Sequence, residues 1–211
     1  MYIPEHFRVR DHAAALAFLR ANPFAILVSN ADDGPFATHL PLVIRESGEQ
    51  IILRGHVAKA NPHWRYLEQQ PQCLVIFHGP HAYISPKNYS SREVVPTWNY
   101  GAVHAYGKAR ILTEPDELLG VLRELIPMFD PSYAEQWASL GESYRERMLS
   151  HIVGFEIGVT KLEAKFKLSQ NRSRDEQENV IASLEATSDT AISGTARLMR
   201  EQGLGLKKER K

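Results

Sequence analysis

The apolar positions of the chain fall into short runs separated by turn-forming clusters, a pattern that predicts strands joined by brief connections. Residues 24–29 (FAILVS) make the first run, and Asn30-Ala31-Asp32-Asp33-Gly34-Pro35 turns the chain after it. Residues 36–45 and 51–57 read as a second and a third strand around Glu46-Ser47-Gly48-Glu49, which makes a β-meander. Two further strands are expected at 73–77 and 82–85, interrupted by His78-Gly79-Pro80-His81. A polar loop over 86–96 leads to the longest strand, 97–112, and a last strand covers 152–168.

Helices are expected between these runs. Residues 11–22 carry Asp11 as N-cap and Leu16, Phe18 and Leu19 as an apolar face. Asn61-Pro62 opens a short helix to residue 70, since proline is pre-set for the first helical position. A helix from Pro115 has Leu118, Leu122, Leu125 and Phe129 on one stripe, and another spans 134–149. The tail shows helical windows at 176–185 and 195–201, broken by Ser188-Asp189 and Gly194. Six or seven strands with helices inserted at intervals predict an α+β fold, a β-barrel with peripheral helices. Its expected organisation is one barrel domain over 1–172 and a helical C-terminal arm over 173–211.

Composition narrows the function classes. With 211 residues, 43% hydrophobic and 24% charged, the chain has a soluble globular composition and enough core to exclude general disorder. No apolar run approaches the roughly 18 residues that span a bilayer, so no membrane association is expected. The opening residues lack a basic stretch followed by an apolar one, and the single Cys73 fits a reducing compartment, so a cytoplasmic location is expected. Twenty-five basic and 25 acidic residues leave no overall electrostatic footprint for nucleic acid. Only Lys207, Lys208, Arg210 and Lys211 cluster, so DNA binding is expected to be weak or indirect.

Common catalytic signatures are absent: there is no G-x-S-x-G elbow, no P-loop and no complete G-x-G-x-x-G. Cys73 lies inside an apolar run and reads as an inert thiol. The nine histidines, including the pairs His56/His63 and His78/His81, lack metal-ligand spacing, so no metal site is expected, and no catalytic residue stands out.

Three segments place polar groups where a plain core would not. Thr38-His39 leads into Leu40-Pro41-Leu42 on a strand. Gly55-His56-Val57-Ala58-Lys59-Ala60-Asn61-Pro62 joins a strand to a helix, and helix-end amides beside a His and a Lys suit a phosphate; capping by Asn61 with a solvated Lys59 is the plainer reading. Lys165 to Ser173 (KFKLSQNRS) puts Lys, Gln, Asn and Arg at the exit of the last strand, with a helix cap at Ser173 as the plainer reading.

Taken in order, the motifs Thr38-His39-Leu40-Pro41, Gly55-His56-x-Ala58-Lys59-x-Asn61-Pro62, His81-Ala82-Tyr83-Ile84-Ser85-Pro86, Pro96-Thr97-Trp98-Asn99-Tyr100 and Lys167-Leu168-Ser169-Gln170-Asn171-Arg172 resemble the PaiB-type FMN-binding negative transcriptional regulators. The opening Met1-Tyr2-Ile3-Pro4-x-x-Phe7 is similar to that family's start, and the likeness runs to about residue 185. The resemblance implies a split barrel of the flavin-reductase and pyridoxamine-phosphate-oxidase type, a homodimer with FMN at the subunit interface. It implies that Thr38, His39 and Leu40 line the isoalloxazine ring and that His56, Ala58, Lys59 and Asn61 hold the phosphate. Trp98 and Asn99 would come from the long strand at the dimer interface, and Lys167, Gln170, Asn171 and Arg172 from the last strand's exit. Two functions stay open: a negative transcriptional regulator acting indirectly or by sensing flavin state or a metabolite, and an FMN-dependent oxidoreductase of the reductase or oxidase type. Haem binding through His39, His56 or His104 is a weaker third.

Overall fold

The computed structural model describes residues 1–48 and 50–205. Seven strands occur among them: β1 (Phe24–Ala31), β2 (Gly34–Pro41), β3 (Val43–Ser47), β4 (Gln50–Ala58), β5 (Gln72–Ile84), β6 (Thr97–Leu112) and β7 (Ile152–Lys167). Seven helices accompany them: α1 (His12–Ala21), α2 (His63–Gln69), α3 (Pro115–Phe129), α4 (Tyr133–Ser139), α5 (Glu142–Leu149), α6 (Arg174–Glu185) and α7 (Thr190–Glu201). The described chain forms two compact units, one of residues 16–77 and 104–162, the other of residues 1–15 and 78–103 with the described part of 163–211.

The first unit contains β1 to β4 and a portion of each of β5, β6 and β7, in the sheet order β2-β1-β5-β6-β7-β4-β3. Pairing is antiparallel, with Leu27 opposite Thr38, Val28 opposite Leu74 and Gly55 opposite Phe155. Strands β2 and β3 stand at opposite ends of this order, about 29 Å apart in a flat sheet at the usual strand spacing. Yet β2 ends at Pro41 and β3 begins at Val43. Leu42 alone links them, and one residue spans only about 7 Å between its neighbours. The sheet is therefore rolled into a barrel. Leu42 is fully buried at this corner, its N–H bonded to Pro23 O at 2.9 Å. The interior is filled by Leu27, Leu53, Val75, Phe77, Phe155 and Ile157, all at 0% exposure, each contributing roughly 1.5–3 kcal/mol by leaving water.

Two features of this unit matter for the site. Helix α3 covers the outside of the sheet with Leu118, Val121 and Leu125, while the fourth stripe residue, Phe129, stays 52% exposed. Arg54, buried on β4, reaches Glu124 of α3 and lies 3.8 Å from Glu156, and Arg45 reaches Glu124 at 3.0 Å. Helix α2 is pinned through His63, which is wholly buried edge-on to the Phe36 ring at 5.1 Å. Its Nδ1 lies 2.7 Å from Thr38 Oγ1, which accepts from Asn61 Nδ2 at 3.2 Å, and Asn61 Oδ1 accepts from His63 N at 3.0 Å.

In the second unit, α6 and α7 bury Val180, Ile181, Leu184, Ala196 and Met199. Ser173 and Glu176 form a capping box at the start of α6, and Asp189 caps α7. Arg200 makes two bonds to Glu178, at 2.6 and 2.7 Å. The N-terminal segment lies along β7, with Val9 N bonded to Ala164 O at 3.0 Å.

Five expected elements are corrected. The strand at 36–45 is two strands bent at Leu42, and the helix at 134–149 is two helices separated at Leu140 and Gly141. The strands at 73–77 and 82–85 are one, β5, running through Gly79-Pro80. Helix α7 starts at Thr190 and passes through Gly194, where a Cβ would meet Pro80 Cγ at 3.1 Å, so this glycine serves close packing.

Two outcomes follow from this packing. A Cβ at Gly107 would meet Gly158 O and Ile157 Cγ2 at 2.6 Å, whereas Gly141 has nothing within 4 Å. Gly107→Ala is expected to cost about 1–3 kcal/mol in urea unfolding, and Gly141→Ala less than about 1 kcal/mol. Burial pushes the His63 pKa down from 6.5 to about 4. Protonation thus favours the unfolded chain: the contribution is complete above pH 6.5 and lost as pH falls towards 4, by at most about 1.4 kcal/mol per pH unit. Denaturant titrations between pH 4.5 and 7 should show His63→Gln with a shallower pH dependence than wild type, by close to one proton.

Candidate functional site

In the barrel unit, β2 alternates between its two faces. Thr38 and Leu40 share one face, Leu40 being buried, while His39 is exposed on the other near the Phe24 ring, 6.4 Å between centroids. The structure therefore brings Thr38 together with Asn61 and His63 but not with His39. His56 is half-buried on β4; its Nδ1 has no hydrogen-bond partner, and burial lowers its pKa. Ala58 is exposed at the end of β4, opposite Ile152.

The junction's amides are largely in use. Lys59 N donates to His151 O at 2.8 Å and Asn61 N to Ala58 O at 2.8 Å; Asn61 Oδ1 takes the N–H of His63, and Pro62 has none. Helix α2 has only seven residues. The expected cluster of free helix-end amides is thus replaced by a self-capped turn, because the Asn61 side chain reaches its donors first. The Lys59 side chain remains: it is exposed and makes no ion pair among the described residues, while its carbonyl accepts from Trp64 Nε1 at 3.1 Å.

In the second unit, the exit of β7 builds a denser arrangement. Asn99 is fully buried and exchanges hydrogen bonds with Ser169 Oγ at 3.0 and 3.2 Å. Ser169 has φ +65°, the left-handed region, which folds the chain back so that Arg172 N reaches Ser169 O at 3.0 Å. Gln170 is structural here, accepting from Leu168 N at 2.7 Å and donating to Phe166 O. Asn171 is exposed at the tip. Lys167 Nζ donates to Thr97 Oγ1 and, at 2.7 Å, to Trp98 O. The Arg172 guanidinium lies over the Tyr89 ring at 4.1 Å, and Glu176 holds the Tyr89 loop by accepting from Ser90 N and Oγ at 3.1 and 3.0 Å.

These groups surround a cleft of about 220 Å³ whose walls include Phe7, Tyr89, Thr97, Asn99, Lys167 and Arg172. Its charge is distinctive. Lys167 and Arg172 in its walls, and Lys165 two residues before Lys167 on β7, 7% exposed and donating to Tyr2 O at 3.3 Å, meet no carboxylate among the described residues. Burial first, and then Lys165, lowers the Lys167 pKa. Desolvated cations without counter-charge suit an anion or the electron-rich edge of a heterocycle. Lys165, Thr97 and Phe7 lie within the motifs quoted from the sequence without an assigned role, and Tyr89 lies outside them; the Lys165/Lys167 spacing of two, which puts both on one strand face, is the signal that identifies the first.

Trp98, adjacent to buried Asn99, is 53% exposed and forms a surface aromatic group with Tyr83 and His81, at 6.0 and 6.1 Å between centroids. Among the described residues no three His, Cys, Asp or Glu gather as a metal site. Burial pushes the Cys73 thiol up to about 12, which keeps it neutral. Among the described residues no helix is long and apolar enough to cross a membrane.

Residues 1–161 match the family model described as "Putative FMN-binding domain". The chain is 40% identical over 204 residues to "Protease synthase and sporulation protein PAI 2" of Bacillus subtilis, covering 96% of this chain and 98% of that protein. Among solved structures it is similar to the flavocytochrome Anf3 of Azotobacter vinelandii, with TM-score 0.59, 16% identity and coverage of 78% and 72%. It is also similar to the FAD and haem binding protein of Mycobacterium smegmatis, with TM-score 0.58, 15% identity and coverage of 83% and 79%. The structural likenesses show the fold, a split barrel, and the sequence matches show the family: the chain belongs to the FMN-binding split-barrel proteins of the PaiB type.

Proposed function

We propose that this protein binds FMN and acts as a negative regulator of transcription through the state of its flavin or a sensed metabolite, not by reading DNA itself. The observation that carries this reading is the set of unneutralised cations at the exit of β7, Lys165, Lys167 and Arg172. The donor set fits FMN. The Lys167 ammonium and Arg172 guanidinium, with Asn99 and Asn171, suit the pyrimidine edge of the ring, where negative charge gathers on reduction. Taken by itself, the barrel unit offers the Lys59 ammonium to a phosphate, with His56, Ala58 and Asn61 shaping its junction, and Thr38, His39 and Leu40 of β2 to a flavin ring. Gln170 acts from behind by bracing the turn. Bound FMN supplies hydride and single-electron chemistry; the protein's residues position it and set its electrostatics.

The exposed aromatic group of Trp98, Tyr83 and His81 suits burial in a two-fold interface, so a homodimer in the cytoplasm is part of the proposal. The B. subtilis relative is named a protease synthase and sporulation protein, and the word sporulation fits a regulatory role. The neutral charge balance argues against direct DNA reading, and the basic cluster Lys207, Lys208, Arg210 and Lys211 lies outside the described residues. A second reading, an FMN-dependent oxidoreductase, is favoured by the flavocytochrome and the FAD and haem binding protein among similar structures.

Fluorescence titration tests the cofactor assignment. Lys167→Gln and Arg172→Gln should each weaken FMN and riboflavin alike by about 10- to 150-fold, since a hydrogen bond to a charged group is worth about 1.5–3 kcal/mol. Lys59→Glu should weaken FMN by more than about tenfold yet leave riboflavin, which lacks the phosphate, nearly unchanged. Equal losses for both ligands in Lys59→Glu would remove the phosphate from this junction. In mobility-shift assays at physiological salt, DNA binding should be weak, unselective and dependent on the residues after Gln202. Four basic groups give a salt slope of at most about −3.6 in log K against log salt. Nanomolar, sequence-selective binding by protein ending at Gln202 would contradict the indirect mode.

A further inference from the structure

The barrel unit holds a second, larger cavity of about 530 Å³ that the flavin reading leaves largely unused. Its walls are the end of β6, the start of β7 and helices α2, α3 and α5, through Leu112, Val153, Ile152, Trp64, Leu118 and Leu149. It is a cleft open to solvent on one side, within the size range of small-molecule sites. One helix of its wall is sparsely anchored: α5 buries Leu149 only.

The polar groups at this cavity define the class of ligand. Glu68 on α2 and Glu146 on α5 line it, and neither has an ion-pair partner among the described residues. Thr113 and Ser150 add hydroxyl oxygens, and Lys59 is the single cationic side chain in the lining. Two carboxylates against one ammonium leave the lining negative, while the body of the cavity offers only dispersion and apolar burial. Geometry and charge together call for an apolar body with a positively charged head.

We propose that this cavity is a binding site for a hydrophobic amine, an aromatic or branched aliphatic body of roughly ten to twenty non-hydrogen atoms carrying one ammonium group. The body lies between Leu112, Leu118, Leu149 and Val153, and the ammonium meets Glu68 and Glu146. The site shares Lys59 with the proposed phosphate junction, and it gives the proposed regulator a place for a small-molecule signal.

Calorimetric titration of the full-length protein with 4-phenylbutylamine, 4-phenylbutyrate and 4-phenylbutanol tests the proposal without any flavin signal, so its outcome is independent of whether FMN binds as assigned. The amine should bind one to one and at least about tenfold tighter than the carboxylate, with the alcohol between them, since one ion pair at a partly desolvated lining is worth about 1.4 kcal/mol or more. Glu68→Gln combined with Glu146→Gln should reduce that preference to less than about threefold. Val153→Phe, which fills the cavity from β7, should weaken all three ligands more than about tenfold. Ile111→Phe fills it from β6 and serves if the first variant does not fold by circular dichroism. A carboxylate that binds as tightly as the amine, no saturable binding below about 1 mM, or unchanged binding in a folded, filled variant would each overturn the proposal.

Discussion

The single-residue link at Leu42 is the constraint on which the barrel depends. It forces the first and last strands of the sheet order together, and it makes one buried leucine side chain the corner of the core. Gly55 shows how tight that corner is, since a Cβ there would meet Leu42 Cδ2 at 2.7 Å. Once the sheet is closed, β2 stands where Thr38 can bond His63, and β4 delivers Lys59 and Asn61 at its end. The phosphate side of the proposed flavin site is thus a consequence of how the barrel shuts.

Charge separates structural from functional groups in this molecule. Arg54, Arg110 and Arg200 each lie beside two carboxylates, and their geometry explains itself as fastening: α3 onto the sheet, β6 to β7 and α3, α7 onto α6. Lys165, Lys167 and Arg172 have hydrogen bonds and aromatic rings but no counter-charge among the described residues. A fold that pairs its fastening arginines so thoroughly has left these three for something else. A flavin's electron-rich edge completes them, which is why the β7 exit, and not the junction at α2, carries most of the cofactor argument.

Much of the architecture was legible in the sequence because period-2 and period-3.6 patterns are local. The failures were places where a local breaker serves tertiary packing. Gly79-Pro80 reads as the end of a strand, and Gly194 as a break before a helix, but Gly194 lacks a side chain because Pro80 packs against it. Leu42 looked like one more strand residue, since nothing in a one-dimensional pattern marks a barrel corner. The site was legible in part. Lys59, Lys167 and Arg172 were visible as polar interruptions; Gln170 was visible but turns inward to brace its own loop. His63 was passed over because a histidine on a short helix carries no signal that it will be buried beneath Phe36.

The central claim, that the cations at the β7 exit exist to meet a flavin, can be read at one atom. Nitrogen-15 NMR of the Lys167 ammonium reports its pKa directly, and in the protein free of ligand that pKa should lie below the ordinary lysine value of 10.5, through burial and the neighbouring Lys165. On saturation with reduced FMN, whose pyrimidine edge carries negative charge, it should rise, because a counter-charge then favours the protonated form. A Lys167 pKa that does not rise when reduced FMN binds would contradict the account.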